Sequence, residues 1–113
     1  MKTRLNFVAA AAVLAFSGSA LADLTIGVSL PLTGPASGLG IPMGNQVKLW
    51  PTTIGGEKVK VIVLDDATDP TAGVKNARRF VTEDKVDVIV GSAATPVGIA
   101  MADVALESKT VQL

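Results

Sequence analysis

The chain has 113 residues, 10 Lys plus Arg against 10 Asp plus Glu, and neither Cys nor His. The missing cysteine excludes a disulfide framework, a thiol nucleophile and a thiolate metal site; the missing histidine removes the commonest general base and metal ligand. With no net charge and no basic stripe, nucleic-acid binding has no electrostatic footing.

Taken in order, the chain opens with basic Met1-Lys2-Thr3-Arg4, an apolar run from Phe7 to Phe16, and Ser17-Gly18-Ser19-Ala20-Leu21-Ala22. These are the three regions of a secretory signal, with cleavage expected after Ala22. The apolar run is shorter than the ~20 residues that span a bilayer. Residues 23–113 are then the mature segment, slightly acidic once Lys2 and Arg4 are lost.

Leu24, Ile26, Val28 and Leu30 alternate with smaller residues and predict a strand, ended by Pro31. A Gly/Pro-rich loop leads to a short helix expected over residues 41–50, stopped by Pro51. Residues 52–57 are expected to be a plain connection. Residues 58–64 read as a second strand with a continuous apolar second half, as in a covered sheet. Asp69 and Pro70 predict a helix start, running to about residue 84 with Val74, Ala77 and Val81 on one face and Phe80 beside them. Residues 86–90 are a third strand. Gly91-Ser92-Ala93 turns the chain, Thr95 is expected as N-cap with Pro96 next, and Val97, Ala100, Met101, Val104 and Ala105 form the stripe of a third helix. Thr110-Val111-Gln112-Leu113 opens a fourth strand, as if the chain were the first part of a longer one. The alternation predicts an α/β fold, a parallel sheet with flanking helices.

Gly34, Gly38 and Gly40 miss the G-x-G-x-x-G spacing of a dinucleotide loop, since Met43 stands where the third glycine is needed. Asp65, Asp66 and Asp69 lack the D-x-[DN]-x-[DN]-G pattern of a calcium loop and fit a strand-end turn plus a helix cap. Trp50 beside a helix-ending proline fits packing better than a ligand wall. Ser92 and Thr95 have no histidine to activate them and no G-x-S-x-G elbow. As hydroxyls near a helix N-terminus they suit hydrogen bonding to an anionic solute. No cofactor, metal site or catalytic residue is expected.

Behind a secretory signal, Ile26-Gly27-Val28-Ser29-Leu30-Pro31-Leu32-Thr33-Gly34-Pro35, Asp65-Asp66-x-x-Asp69-Pro70 and Val88-Ile89-Val90-Gly91-Ser92-Ala93-Ala94-Thr95 resemble periplasmic leucine/isoleucine/valine-binding proteins. The resemblance spans residues 23–113. It implies the first part of lobe one of a two-lobed, type I periplasmic binding protein. It also implies a non-catalytic, periplasmic protein that captures a small carboxylate-bearing solute for the inner-membrane permease of an ABC importer. Thr95 matches the residue that binds the solute carboxylate, and Ala93 and Ala94 match backbone neighbours in the same pocket. Leu39 stands at a ligand-facing position that is aromatic in amino-acid binders. The segment between Gly40 and Asp65 is shorter than usual for the family. A sensing ectodomain of the same fold and an exported enzyme are the competing classes.

Overall fold

The computed structural model describes residues 23–113. The signal expected over residues 1–22, with its cleavage point, lies outside the described residues. Strands and helices alternate: β1 (Leu24–Leu30), α1 (Ser37–Val47), β2 (Thr53–Ile54), β3 (Glu57–Asp65), α2 (Pro70–Thr82), β4 (Val88–Val90), α3 (Thr95–Ser108) and β5 (Val111–Gln112). The sheet order is β2-β3-β1-β4-β5. β3, β1, β4 and β5 run parallel, and β2 pairs antiparallel with β3 at the edge. The α/β fold with flanking helices is the one expected.

Two elements depart from expectation. Residues 52–57 are not a plain connection: Gly55 and Gly56, both at positive φ, form a two-residue hairpin turn between β2 and β3. Both residues of β2 are exposed, so no apolar alternation announces the strand. Helix α1 begins at Ser37 rather than residue 41 and ends at Val47. Bonds from Ser37 N–H to the Gly34 carbonyl (3.1 Å) and from Leu39 N–H to the Ala36 carbonyl (2.9 Å) start the turn before Pro42 is reached. The proline then removes one donor from a helix already begun.

β1 lies at the centre of the sheet and is buried on both faces over most of its length. Ile26, Val28 and Leu30 pack with Val47 of α1, with Leu32, Trp50 and Val61 at the margin. The opposite face carries the larger core: Ala77 and Phe80 of α2, Ile89 of β4, and Val97, Met101, Val104 and Ala105 of α3. The stripes expected on α2 and α3 are therefore the buried ones, with Val74, Val81 and Ala100 only half-buried. Gly27 admits this packing. A Cβ there would lie 2.7 Å from a Phe80 ring carbon, so the ring rests directly on the β1 backbone. Trp50 packs as expected, and its Nε1 donates to Gln46 Oε1 at 3.0 Å.

Candidate functional site

The topology decides where a site can form. From β1 the chain crosses to β3 on one side; from β4 it passes to β5 on the other. α1 packs on one face of the sheet and α3 on the opposite face. The carboxyl ends of β1 and β4 therefore flank a topological switch point, the place where open α/β sheets bind ligands. Residues 31–36 and 91–94 line its two sides.

The first of these loops is held by carboxylates. Asp65 Oδ1 accepts from the backbone N–H groups of Leu32 (2.9 Å), Thr33 (3.2 Å) and Ala67 (2.8 Å), and Oδ2 accepts from Thr33 Oγ1 at 2.6 Å. Burial acts most strongly on this carboxyl and raises its pKa, but the bonds from Thr33, Ala67 and Leu32 together outweigh it and hold the group below its ordinary value. Asp66 is fully buried; it accepts from Ser29 Oγ (3.1 Å) and from Thr68 N–H (3.0 Å). Asn76 of α2 donates to Ser29 Oγ and to the Asp65 carbonyl. Thr68 Oγ1 donates to the Thr33 carbonyl and accepts from Ala36 N–H. Asp69 accepts from Thr71 N–H at 3.1 Å, the cap expected ahead of Pro70. This acidic cluster is a clasp that joins two loops.

The second loop presents the candidate residues. Gly91 has φ +113, and its backbone lies so close to the Ser29 carbonyl that a Cβ would collide with it. Only glycine meets both conditions. Ser92 Oγ accepts from Ala94 N–H at 3.2 Å. Ala94, not Thr95, is the N-cap: its backbone is extended, and its carbonyl accepts from Val97 N–H (2.9 Å) and Gly98 N–H (3.0 Å). The Ser92 turn fixes Ala94 in that conformation and places Thr95 inside the helix as its first residue, with Pro96 second. Thr95 is exposed. Among the described residues, neither its N–H nor its hydroxyl has a partner. Both are free donors at the positive end of a 14-residue helix.

The structure brings Ala93, Ala94 and Thr95 together in one turn. Ala94 has its side chain in the core and both backbone polar groups engaged. Leu39 lies apart from them, exposed in the first turn of α1 on the opposite side of the switch point. A depression of about 580 Å³ is lined by Gly91, Ser92, Thr95, Ile99 and Gln112 among others, and Leu39 is not part of it. Ile99 and Gln112 escaped the sequence reading. Ile99 is apolar but lies exposed, off the buried stripe of α3, and Gln112 is one polar residue in a two-residue strand that carries no motif.

A strand-to-helix anion site at the switch point of a parallel sheet is shared by many α/β proteins, so the fold alone does not assign the family. The family model described as "Periplasmic binding protein" matches residues 23–113. The chain belongs to the periplasmic binding protein family. Among its relatives, the Leu/Ile/Val-binding protein homolog 1 of Brucella abortus is 34% identical over 118 residues, covering 99% of this chain and 32% of that protein. The chain thus spans about a third of the length of the curated relatives it matches. A crystal structure of an extracellular ligand-binding receptor from Rhodopseudomonas palustris HaA2 shares 49% identity at TM-score 0.78, covering 80% of this chain and 25% of that one. A solute binding protein of an ABC transporter from Rhodopseudomonas palustris BisB5, solved in complex with 3,4-dihydroxy benzoic acid, is 32% identical at TM-score 0.76, covering 80% and 26%.

Proposed function

We propose that this chain forms one wall of the capture site of an exported solute-binding protein, and that the solute carries a carboxylate. The observation behind this reading is Thr95, whose N–H and hydroxyl are both unpaired donors at a helix N-terminus beside the switch point. Two converging donors and the helix dipole suit a carboxylate better than a neutral group. Ala93 continues the wall by backbone, while Ala94, with its side chain in the core and both backbone polar groups engaged, supports it from behind. Leu39, exposed and apolar, suits the hydrophobic body of the solute from across the switch point.

The relatives support two solute classes. One is named for binding leucine, isoleucine and valine, and another was crystallised with an aromatic acid. Both classes pair a carboxylate with an apolar body. The solute docks near Thr95, a second lobe closes over it, and the closed form delivers it to an inner-membrane permease. The leader cleaved after Ala22 places the protein in the periplasm. Ser92 and Thr95 act as binding hydroxyls in a protein without enzymatic activity.

Calorimetry on the intact protein with L-leucine and with 3,4-dihydroxybenzoate tests the site. Thr95→Ala should weaken whichever solute binds by roughly 1.5–3 kcal/mol, the range for a hydrogen bond to a charged group. Unchanged affinity removes Thr95 from the site. A sensing role is the second reading, favoured by the receptor description of the structure at 49% identity. Permease and ATPase genes beside the coding sequence support import, and a downstream signalling gene supports sensing.

A further inference from the structure

We infer that Gln112 is a positioning residue for this wall: it fixes Thr95 by gripping the backbone on both sides of the turn that presents it. The inference rests on the carboxylate reading of Thr95 given above. Gln112 Nε2 donates to the Gly91 carbonyl at 2.9 Å and to the Gly98 carbonyl at 3.0 Å. Gly91 follows the last residue of β4, and Gly98 lies in the first turn of α3. One amide group therefore staples the two ends of the 92–97 segment, with Thr95 between them. β5 also reaches the turn through its backbone, because Gly91 N–H donates to the Leu113 carbonyl at 2.9 Å. Both polar groups of Gly91 are thus held from the β5 side. The Ser92–Ala94 bond shapes the turn internally but does not anchor it to the sheet.

The chemistry of the staple is directional. Flipping the amide would set its oxygen against two carbonyl oxygens, so both hydrogens are committed to Gly91 and Gly98. The cost is visible at the other end: Gln112 Oε1 is buried and has no partner among the described residues. An apolar side chain of similar size would fill this space without orphaning an acceptor. The glutamine therefore has its rationale in the two carbonyls it holds, and those carbonyls bracket the residue offered to the solute.

Two measurements on the intact protein test this. Gln112→Met keeps the volume and removes the donors. Amide hydrogen exchange, which needs no solute, should speed up about tenfold at Ala94, Val97 and Gly98, the hydrogen-bonded amides of residues 92–98, while β1 and β3 keep their rates. Unchanged exchange in that segment overturns the inference, whether or not Thr95 contacts a carboxylate. Gln112→Glu places an acceptor against the same carbonyls and should accelerate exchange more than the methionine does; the reverse order also overturns it. In calorimetry with L-leucine and 3,4-dihydroxybenzoate, Gln112→Met should weaken the solute that binds about tenfold, and Thr95→Ala/Gln112→Met should be no weaker than Thr95→Ala alone. Additive losses would mean that Gln112 acts apart from Thr95 and would sink the positioning role.

Discussion

Asp65 takes hydrogen bonds from Leu32, Thr33 and Ala67 at the carboxyl end of β3, and these depress its pKa below the ordinary value of 3.8. A group whose folded pKa is depressed contributes stability that is complete above the unfolded value and is lost as pH falls through the folded one. The Asp65 contribution is therefore present at pH 7 and fades below about pH 4. Asp65→Asn should lower the urea midpoint at neutral pH and narrow the gap to wild type as pH falls towards 3. The single tryptophan, Trp50, reports the transition by fluorescence. A gap that stays constant from pH 7 to pH 3 would show that the carboxylate charge plays no part in the clasp. Gly27 supplies a second test, since Gly27→Ala drives a methyl into the Phe80 ring. Overpacking of this kind costs typically about 1–3 kcal/mol, measurable by the same unfolding experiment. A neutral result would mean that Phe80 moves aside at little cost.

The start of α2 was legible in the sequence because its chemistry is local. Asp69 accepts from Thr71 N–H, two residues on, and Pro70 needs no donor there. Asp69→Ala should cost about 1 kcal/mol, within the range for losing such a cap, and a denaturant titration checks it. β1 and β3 were legible for a similar reason, since their apolar residues repeat at a spacing that one short window reveals. Other features depend on contacts distant in sequence. β2 is a strand only because Thr53 and Ile54 pair with Lys58 and Glu57 across a glycine turn. The acidic residues after β3 could be read as a turn and a cap, but the reach of Asp65 to Thr33 needs the parallel register of β1 and β3. The N-cap of α3 was misplaced by one residue because Thr95 has the better capping side chain. The Ser92 turn nevertheless puts Ala94 in the extended position. Gln112 was invisible as a site residue, since its partners Gly91 and Gly98 come together only when β5 joins β4.

At the scale of the whole molecule the two faces of the sheet are unequally covered. α2 and α3 together bury Ala77, Phe80, Ile89, Val97, Met101 and Val104 on one face. α1 alone covers the other, with Val47 as its one buried apolar side chain. The central strand serves both faces, so the loss of either core loosens β1 and with it the carboxyl ends that carry the site. The faces should nevertheless respond differently to truncation. Phe80 is fully buried against the β1 backbone and its neighbours. Phe80→Ala should cost about 3–5 kcal/mol, enough to threaten folding of a marginally stable domain. Val47 lies at the edge of a face where Ile41 and Val63 remain exposed. Val47→Ala removes two methyl groups there and should cost under about 2 kcal/mol, at roughly 0.8 kcal/mol per buried carbon, with the cavity open to solvent relaxation. Equilibrium unfolding of both variants in the intact protein compares the faces directly. If Val47→Ala proved as costly as Phe80→Ala, the α1 face would be a core of equal weight. The site would then depend on both layers of helices equally, instead of chiefly on the α2–α3 layer that holds Thr95.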